Sequence, residues 1–293
     1  MFKILKRVAR YIVYGTPQNN IKKVYPQVRI CQLTNILKGR TAIITGGTSG
    51  IGLAIAKAFV NAGATVVITG RNKQRIEKAC ENIRTSFPNC DIYGIELDNT
   101  KIQEFGQKFQ EVCKIINGKS IDILVNNAGL RGGHISKATE EEYDNIMDTN
   151  AKGTFFMSQL VAKYMVANNI RGNILNITSA SSVRPALSAY HMSKWAIRGL
   201  TQGMARALAP YGICVNAIAP GPTATPMLLG DKDNCEIFHE RNLLGRYAMP
   251  EEIANMAVIL VSDMSRTIIG DTIFMSGGGG IITNEDVNFN FQI

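Results

Sequence analysis

The sequence lacks the residue patterns on which metal-dependent and disulfide-stabilised proteins depend. Its six cysteines contain no C-x-x-C pair, and only three histidines occur in 293 residues. The cysteines are therefore interpreted as reduced thiols of a cytosolic protein, and no metal site is expected. No apolar run approaches the roughly 20 residues that cross a bilayer, so a membrane-spanning helix is not expected either.

Acidic residues are also missing, but only from one end of the chain. Residues 1–40 hold nine Lys and Arg without a single Asp or Glu, and the rest of the chain has 23 residues of each sign. A neutral body argues against a nucleic-acid enzyme, whose basic surface normally belongs to the folded domain. Residues 1–14 could lie as an amphipathic helix on an anionic membrane surface. A solvated arm, or one packed on a neighbouring subunit, is the preferred interpretation.

What the sequence does contain is a strand, a glycine-rich turn and a helix in that order, over residues 41–62. The apolar residues Ile51, Ile55 and Phe59 recur at helical spacing after the turn. Glycine lets the backbone approach a pyrophosphate, and a helix N-terminus offers free N–H groups and a positive dipole end. A cofactor-binding turn is therefore favoured over a plain turn.

Strand-like and helix-like segments alternate through the rest of the chain, which predicts an α/β fold with a Rossmann-like, doubly wound parallel sheet in a single domain. The domain is expected to cover residues 38–280, between a basic extension (1–37) and a tail (281–293). After the strand that begins at residue 41, strands are predicted at 64–69, 92–97, 121–125, 173–178, 213–218 and 272–275. Helices are predicted at 73–86, up to 116, and at 140–168, 190–208 and 250–262.

Several short motifs occur along this framework in a fixed order. They are Thr45-Gly46-x-x-x-Gly50-Ile51-Gly52, Asp98, Asn126-Asn127-Ala128-Gly129, Asn150, Ser179, Tyr190-x-x-x-Lys194 and Pro220-Gly221. Each motif alone is weak evidence, but together, at these distances, the chain resembles the short-chain dehydrogenase/reductase family. The resemblance covers roughly residues 38–280 and leaves the two ends outside it.

Tyr190 and Lys194 are four residues apart, so a helix would project both side chains from one face. A Lys ammonium beside a phenol lowers the pKa of the phenol from about 10. Carbonyl reduction needs a proton donor at the oxygen while hydride arrives at carbon. Tyr190 is therefore expected to act as general acid and base, with Lys194 assisting it.

The resemblance implies further roles at the same site. Lys194 would also bind the nicotinamide ribose, Ser179 would hydrogen-bond the substrate oxygen, and Asn150 would hold a water that links Lys194 to solvent. The 11 positions from Ser179 to Tyr190 are slightly fewer than the family leads one to expect. Ser181 or Ser182 could therefore supply the hydroxyl instead.

The resemblance also implies the cofactor contacts. Asp98 would contact the adenine, although an Asp after a strand can simply cap a helix, and residues 126–129 could serve the turn alone. His134 is interpreted as a surface or rim residue. The expected contacts are Gly46, Thr48, Ser49, Gly50, Ile51, Gly52, Arg71, Asp98, Asn126, Ala128, Gly129, Tyr190, Lys194, Pro220, Gly221, Thr223 and Thr225.

The choice of cofactor depends on the end of the second strand. NAD-preferring folds usually place a carboxylate there to bind the ribose 2′-hydroxyl, but no Asp or Glu lies between Gly46 and Glu77. Arg71 is placed to meet a 2′-phosphate instead, unless it is a solvated residue at a helix start. Ser49 counts against NADP, because many NADP-preferring relatives carry a basic residue there. NADP(H) is the predicted cofactor, with NAD(H) as the alternative.

The predicted protein is an oxidoreductase that transfers hydride between NADP(H) and a small-molecule carbonyl or secondary alcohol. The resemblance implies a homo-oligomer, a dimer or a tetramer. The cysteine pattern predicts a cytoplasmic location, with peripheral membrane contact as an alternative. A non-catalytic NADP(H)-binding sensor and a membrane-recruited partner protein are the rival functions.

The substrate stays open at this point. Residues 222–246 are expected to form a lid over the active site, and residues 130–136 part of its rim. Met227, Leu228, Leu229 and Phe238 suit a hydrophobic carbonyl, such as an acyl chain or a steroid. Asp231, Lys232, Asp233 and Arg241 suit a polar substrate such as a sugar.

Overall fold

The computed structural model describes residues 35–229, 237–239 and 242–279. The strands are β1 (Thr41–Ile44), β2 (Thr65–Gly70), β3 (Ile92–Glu96), β4 (Ile123–Asn126), β5 (Asn173–Ile177), β6 (Cys214–Pro220) and β7 (Thr272–Met275). The helices are α1 (Gly50–Asn61), α2 (Lys73–Ser86), α3 (Phe105–Ile115), α4 (Glu140–Met147), α5 (Gly153–Ala167), α6 (Ala189–Leu208), α7 (Pro226–Leu229) and α8 (Pro250–Val261).

The seven strands form one sheet in the order β3-β2-β1-β4-β5-β6-β7, and every pairing is parallel. The predicted doubly wound, Rossmann-like sheet is therefore confirmed. The chain leaves β1 toward β2 on one side and places β4 on the other, so the strand order reverses between β1 and β4. In open sheets of this kind, ligands bind at the carboxyl ends of the strands beside that reversal.

Helices cover both faces of the sheet because successive strand residues point to opposite sides. On β1, Ile44 packs into the layer that contains α1, α2 and α8, whereas Ile43 packs into the layer of α3, α5 and α6. Val66 and Val67 on β2 divide between the layers in the same way. These near-continuous apolar strands are buried on both faces, which fixes the carboxyl ends of the strands in place.

The prediction of one uninterrupted α-helix over residues 140–168 was wrong. The structure divides it into α4 and α5, separated by a π-helical segment at Asp148–Lys152. Such segments occur mostly as single turns and frequently at functional sites. Here the segment contains Asn150. The other predicted boundaries lie within two residues of the observed ones, apart from the start of α3, for which no residue was predicted.

Several predictions concern residues outside the described ranges. They are the amphipathic segment 1–14, the tail 281–293, and the lid residues Asp231, Lys232, Asp233 and Arg241. Within the described ranges, none of the helices combines the length and apolar character needed to span a membrane. The division into an extension, one domain and a tail stays a prediction.

Candidate active site

The glycine turn after β1 is shaped by two residues with positive φ. Gly46 has φ 64° and Gly50 has φ 54°, a region that side chains disfavour. A Cβ on Gly46 would also lie 2.9 Å from the Cα of Ala128, and one on Gly50 would lie 3.3 Å from Thr225 Cγ2. The turn therefore lies tightly between the segments that follow β4 and β6.

The first turn of α1 presents free N–H groups to this space. Ser49 is its N-cap residue, but no side chain caps the helix, and its first turn contains no acidic residue. The early N–H groups of a helix need partners from outside the helix. An anionic group such as a pyrophosphate supplies such partners and matches the positive end of the helix dipole. The site therefore fits a dinucleotide.

Asn127 holds the glycine turn against β4. Its Nδ2 donates to the carbonyl oxygens of Thr45 at 3.0 Å and Gly46 at 2.9 Å. A Cβ on Gly52 would overlap both Asn127 Nδ2 and Gly46 O. Gly52, predicted as a cofactor contact, does not line the cleft; it leaves room for the Asn127 amide.

Asn126 was also predicted to contact the cofactor, and the structure places its side chain elsewhere. It is 3% exposed, and its Nδ2 donates to Ser158 Oγ at 2.8 Å and to Asn176 Oδ1 at 2.9 Å. Asn176 in turn donates to Thr201 Oγ1 at 2.9 Å. Asn126 thus belongs to a buried polar chain that ties β4 and β5 to α5 and α6.

A cleft of about 1950 Å³ runs along the carboxyl ends of the strands. It brings together most of the residues predicted from the sequence, with Gly52, Asn126 and Asn150 as the exceptions. The predicted residues that line it are Gly46, Thr48, Ser49, Gly50, Ile51, Arg71, Asp98, Ala128, Gly129, Ser179, Tyr190, Lys194, Pro220, Gly221, Thr223 and Thr225.

Tyr190 lies in the first turn of α6, whose N-cap residue Ser188 accepts a hydrogen bond from His191 N. Burial raises the pKa of Tyr190, while a hydrogen bond with Ser179 and the charge of Arg131 lower it, and the net effect is upward. A lowered pKa was expected for Tyr190, and this was wrong, because burial outweighs the groups that lower it. Tyr190 keeps its proton at neutral pH.

Lys194 is almost completely buried beneath Tyr190. Its Nζ lies 5.6 Å from the centre of the Tyr190 ring and donates to Ile177 O at 2.9 Å. Burial disfavours the charged form, which lowers the pKa of Lys194 from 10.5 to about 8. The ammonium is therefore the main form at neutral pH, but it titrates in the mildly alkaline range.

This buried amine predicts a pH-dependent stability. The unfolded chain binds more protons than the folded chain between pH 8 and pH 10.5, so the free energy of unfolding rises with pH across that window. Lys194→Met removes the cost of burying this charged amine, which lowers the free energy of unfolding by about 3 kcal/mol at neutral pH. Thermal unfolding from pH 7 to pH 10 is expected to show wild type gaining stability relative to the variant.

The control for this prediction is Lys163→Met, since Lys163 is an exposed lysine on α5. Its unfolding curve is expected to follow wild type at every pH. Parallel pH profiles for wild type and Lys194→Met would contradict the prediction.

The structure separates the three candidate serines. Ser179 caps a short 3-10 helix by accepting from Ser181 N at 3.1 Å, and its hydroxyl lowers the pKa of Tyr190. Ser181 also lines the cleft, and its Oγ accepts a hydrogen bond from Ser179 Oγ at 3.1 Å. Ser182 is completely buried and donates to Ser179 O at 2.7 Å. Ser179 and Ser181 therefore line the cleft together with Tyr190, whereas Ser182 does not line it.

Asn150 lies behind the cleft within the π-helical segment. Its Oδ1 accepts from Leu130 N at 2.7 Å, and its Nδ2 donates to Leu130 O at 2.9 Å and Ser193 Oγ at 3.0 Å. Both amide protons are therefore used within the protein. The side chain fixes the loop after β4 against α6, and the predicted water contact stays a prediction.

The far end of the cleft carries several cations. Arg71 directly follows β2 and is exposed, and Lys57, Arg75 and Lys78 line the same end. Asp98 is the one carboxylate among the described lining residues. Its Oδ1 accepts from Thr100 N and Thr100 Oγ1, both at 2.9 Å, so Asp98 also stabilises the local turn.

Several charged and imidazole side chains that line the cleft were not individually predicted from the sequence. Arg131, Arg184, His191 and His239 line the cleft together with His134, so the cleft contains every histidine of the chain. Arg131 and His191 could have been predicted from their places in the sequence, because Arg131 lies just after the Asn126–Gly129 motif and His191 just after Tyr190. No group of three His, Cys, Asp or Glu within the described residues is arranged to hold a metal.

Comparisons with known proteins agree with this geometry. A family model described as enoyl-(acyl carrier protein) reductase matches residues 46–279. A 3-oxoacyl-(acyl-carrier-protein) reductase of Aquifex aeolicus is 32% identical over 246 residues, covering 83% of this chain and 98% of that protein. Gluconate 5-dehydrogenase of Gluconobacter oxydans is 32% identical over 256 residues, covering 83% and 95%. A short-chain dehydrogenase of Burkholderia cenocepacia, solved with NADP, superposes with a TM-score of 0.74 at 30% identity, covering 84% and 99%.

Proposed function

Because this chain belongs to the short-chain dehydrogenase/reductase family and is therefore an NAD(P)-dependent oxidoreductase, we propose that it reduces a carbonyl with NADPH through Tyr190. The observation that carries the proposal is that Tyr190, Ser179 and Lys194 line the same cleft as the uncapped start of α1. The reverse reaction, oxidation of a secondary alcohol, uses the same groups.

The chemistry proposed for each side chain follows from its surroundings. When bound, NADPH supplies hydride to the carbonyl carbon. The Tyr190 phenol, protonated at neutral pH, donates its proton to the carbonyl oxygen, and Ser179 orients that oxygen by a hydrogen bond. Lys194 supplies positive charge beneath the phenol, which stabilises the phenolate that remains. Alcohol oxidation needs the phenolate from the start, so its rate is expected to rise with pH.

The preference for NADPH over NADH is part of the proposal. Four cations at the far end of the cleft, Lys57, Arg71, Arg75 and Lys78, face a region in which Asp98 is the one described carboxylate. Arg71 follows β2 directly, where the ribose of a dinucleotide is held in this fold. A guanidinium at that position can bind a 2′-phosphate through two hydrogen bonds.

Arg71→Asp is expected to weaken NADPH binding by about tenfold or more, since a charge-assisted hydrogen bond is worth about 1.5–3 kcal/mol. NADH binding should improve relative to NADPH, because a carboxylate accepts from the ribose 2′-hydroxyl. Fluorescence titration of both cofactors measures the two affinities. Arg206→Asp changes an exposed arginine on α6 outside the cleft. It should not change the ratio of the affinities for NADPH and NADH. An unchanged ratio in Arg71→Asp would show that Arg71 is merely solvated.

A homo-oligomer is also proposed. Family members are often oligomeric, and large apolar side chains on α5 and α6 are exposed, among them Phe155 at 45% and Trp195 at 43%. Exposed apolar side chains that cluster on neighbouring helices indicate a protein interface. The subunit number, dimer or tetramer, stays a prediction.

A further inference from the structure

The Tyr190 end of the cleft is built from cations and neutral groups. Arg131, Arg184, His134 and His191 line it, whereas Asp98, the one carboxylate among the described lining residues, follows β3 at the sheet edge. The phosphates of a dinucleotide account for the cations near β2 but not for these. The two arginines at the Tyr190 end, Arg131 and Arg184, therefore need their own explanation.

Arg131 is held beside Tyr190 by an anchored loop. On one side of it, Leu130 N donates to Asn150 Oδ1 at 2.7 Å. On the other side, Gly133 O accepts from Ala189 N at 2.9 Å, so the loop is joined to the first turn of α6. The backbone is fixed at both points, and the side chain projects from a defined position next to the reacting centre.

The charged groups at this end of the cleft lower the pKa values of both Tyr190 and His191. Arg131 lowers the pKa of Tyr190, although burial outweighs it. The pKa of His191 is lowered first by burial and then by the charges of Arg184, Arg131 and His134. Positive charge therefore converges on the space above Tyr190 and His191.

Arg131 is the cation that is free to bind a ligand. Its side chain is exposed and forms no hydrogen bond or ion pair with any residue that the structure describes. Glu142 lines a small neighbouring pocket with Arg131, but its Oε1 accepts from Gly133 N at 2.8 Å. Arg184, in contrast, donates to Gly279 O and holds the segment after β7.

We propose that the substrate carries an anionic group, a carboxylate or a phosphate, near its reacting carbonyl, and that Arg131 binds this group. The proposal rests on the proposed function and names the class of its substrate. A planar guanidinium binds either group through paired hydrogen bonds. Asp98 is the one carboxylate among the described residues that line the cleft, and it follows β3, so no lining carboxylate beside Tyr190 competes with such a group for Arg131.

The test compares matched substrates that differ in charge. One pair is acetoacetate and its ethyl ester, and the other is dihydroxyacetone phosphate and dihydroxyacetone. Wild type is expected to show a higher kcat/KM for the charged member of at least one pair, and the favoured pair distinguishes carboxylate from phosphate. Arg131→Gln should reduce that preference by about 10- to 100-fold, the range for losing one charge-assisted hydrogen bond.

Two controls separate the alternatives. Arg206→Gln, an exposed cation on α6, should keep the wild-type preference. The affinity for NADPH, measured by fluorescence titration, should stay the same in Arg131→Gln. A loss of NADPH affinity would assign Arg131 to the cofactor and overturn the proposal, as would equal kcat/KM for charged and neutral members in wild type. Failure to reduce any carbonyl would overturn the proposed function itself.

Discussion

Tyr190→Phe is expected to lower kcat for carbonyl reduction by about 10²- to 10⁴-fold, the usual contribution of a general acid. The substitution removes one hydroxyl and keeps the ring that packs above Lys194. NADPH affinity should therefore stay close to wild type, because the glycine turn and the start of α1 are unchanged. Steady-state oxidation of NADPH, together with a fluorescence titration of the cofactor, measures both quantities.

The matched control is Tyr211→Phe, since Tyr211 is 55% exposed and lies outside the cleft. It should be as active as wild type. If Tyr190→Phe retained most of the activity, another group would be the proton donor. If both activity and cofactor binding were lost, the residue would be structural.

Gly52→Ala is expected to disrupt the dinucleotide site although Gly52 does not line it. The added Cβ would overlap Asn127 Nδ2 and Gly46 O, and backbone at this position cannot move without moving the glycine turn. Overpacking of this kind costs about 1–3 kcal/mol of stability. We expect a lower Tm and weaker NADPH binding, because the displaced glycine turn no longer offers its backbone to the pyrophosphate.

Gly106→Ala is the control for this prediction. Gly106 is an exposed residue of α3, and no atom lies within 4 Å of the position that its Cβ would occupy. Alanine in a helix is more favourable than glycine by about 0.5–1 kcal/mol, so this variant should be slightly more stable and bind NADPH normally. Normal cofactor binding by Gly52→Ala would contradict the role given to the Asn127 clamp.

The fold could be predicted because its signal is local and repeated. The five inner strands are mainly apolar runs buried on both faces, and they alternate with helical segments, so the alternation is visible without knowing the contacts. The π-helical segment around Asn150 could not be predicted in this way. It depends on the side chain of Asn150 bonding Leu130 and Ser193, which are distant in the sequence.

The motif at residues 126–129 shows where the sequence was insufficient for the site. Asn126 and Asn127 are neighbours of the same type, and Asn126 was the one predicted to contact the cofactor. Asn126, the last residue of β4, enters the buried polar chain, whereas Asn127, which follows the strand, clamps the glycine turn. The position at which β4 ends therefore distinguishes the roles of the two residues.

The histidines that line the cleft could not be assigned to one site from the sequence, for a different reason. His134, His191 and His239 are more than 40 residues apart, and no spacing rule connects them. They meet in one cleft only after β4, α6 and the segment before α8 are assembled. The pKa of Tyr190 was misjudged for the same reason, because the depth of burial follows from the assembled fold.

The transfer of deuterium from NADPH to product tests the central claim most directly. NADPH deuterated at the transferring position of nicotinamide C4 would be incubated with the enzyme and each carbonyl of the matched pairs, and the alcohol analysed by mass spectrometry. We predict an alcohol that carries the deuterium on its carbinol carbon, formed in equal amount to the NADPH consumed. An enzyme that binds NADPH but forms no deuterated alcohol would contradict the account and favour a non-catalytic NADP(H)-binding sensor.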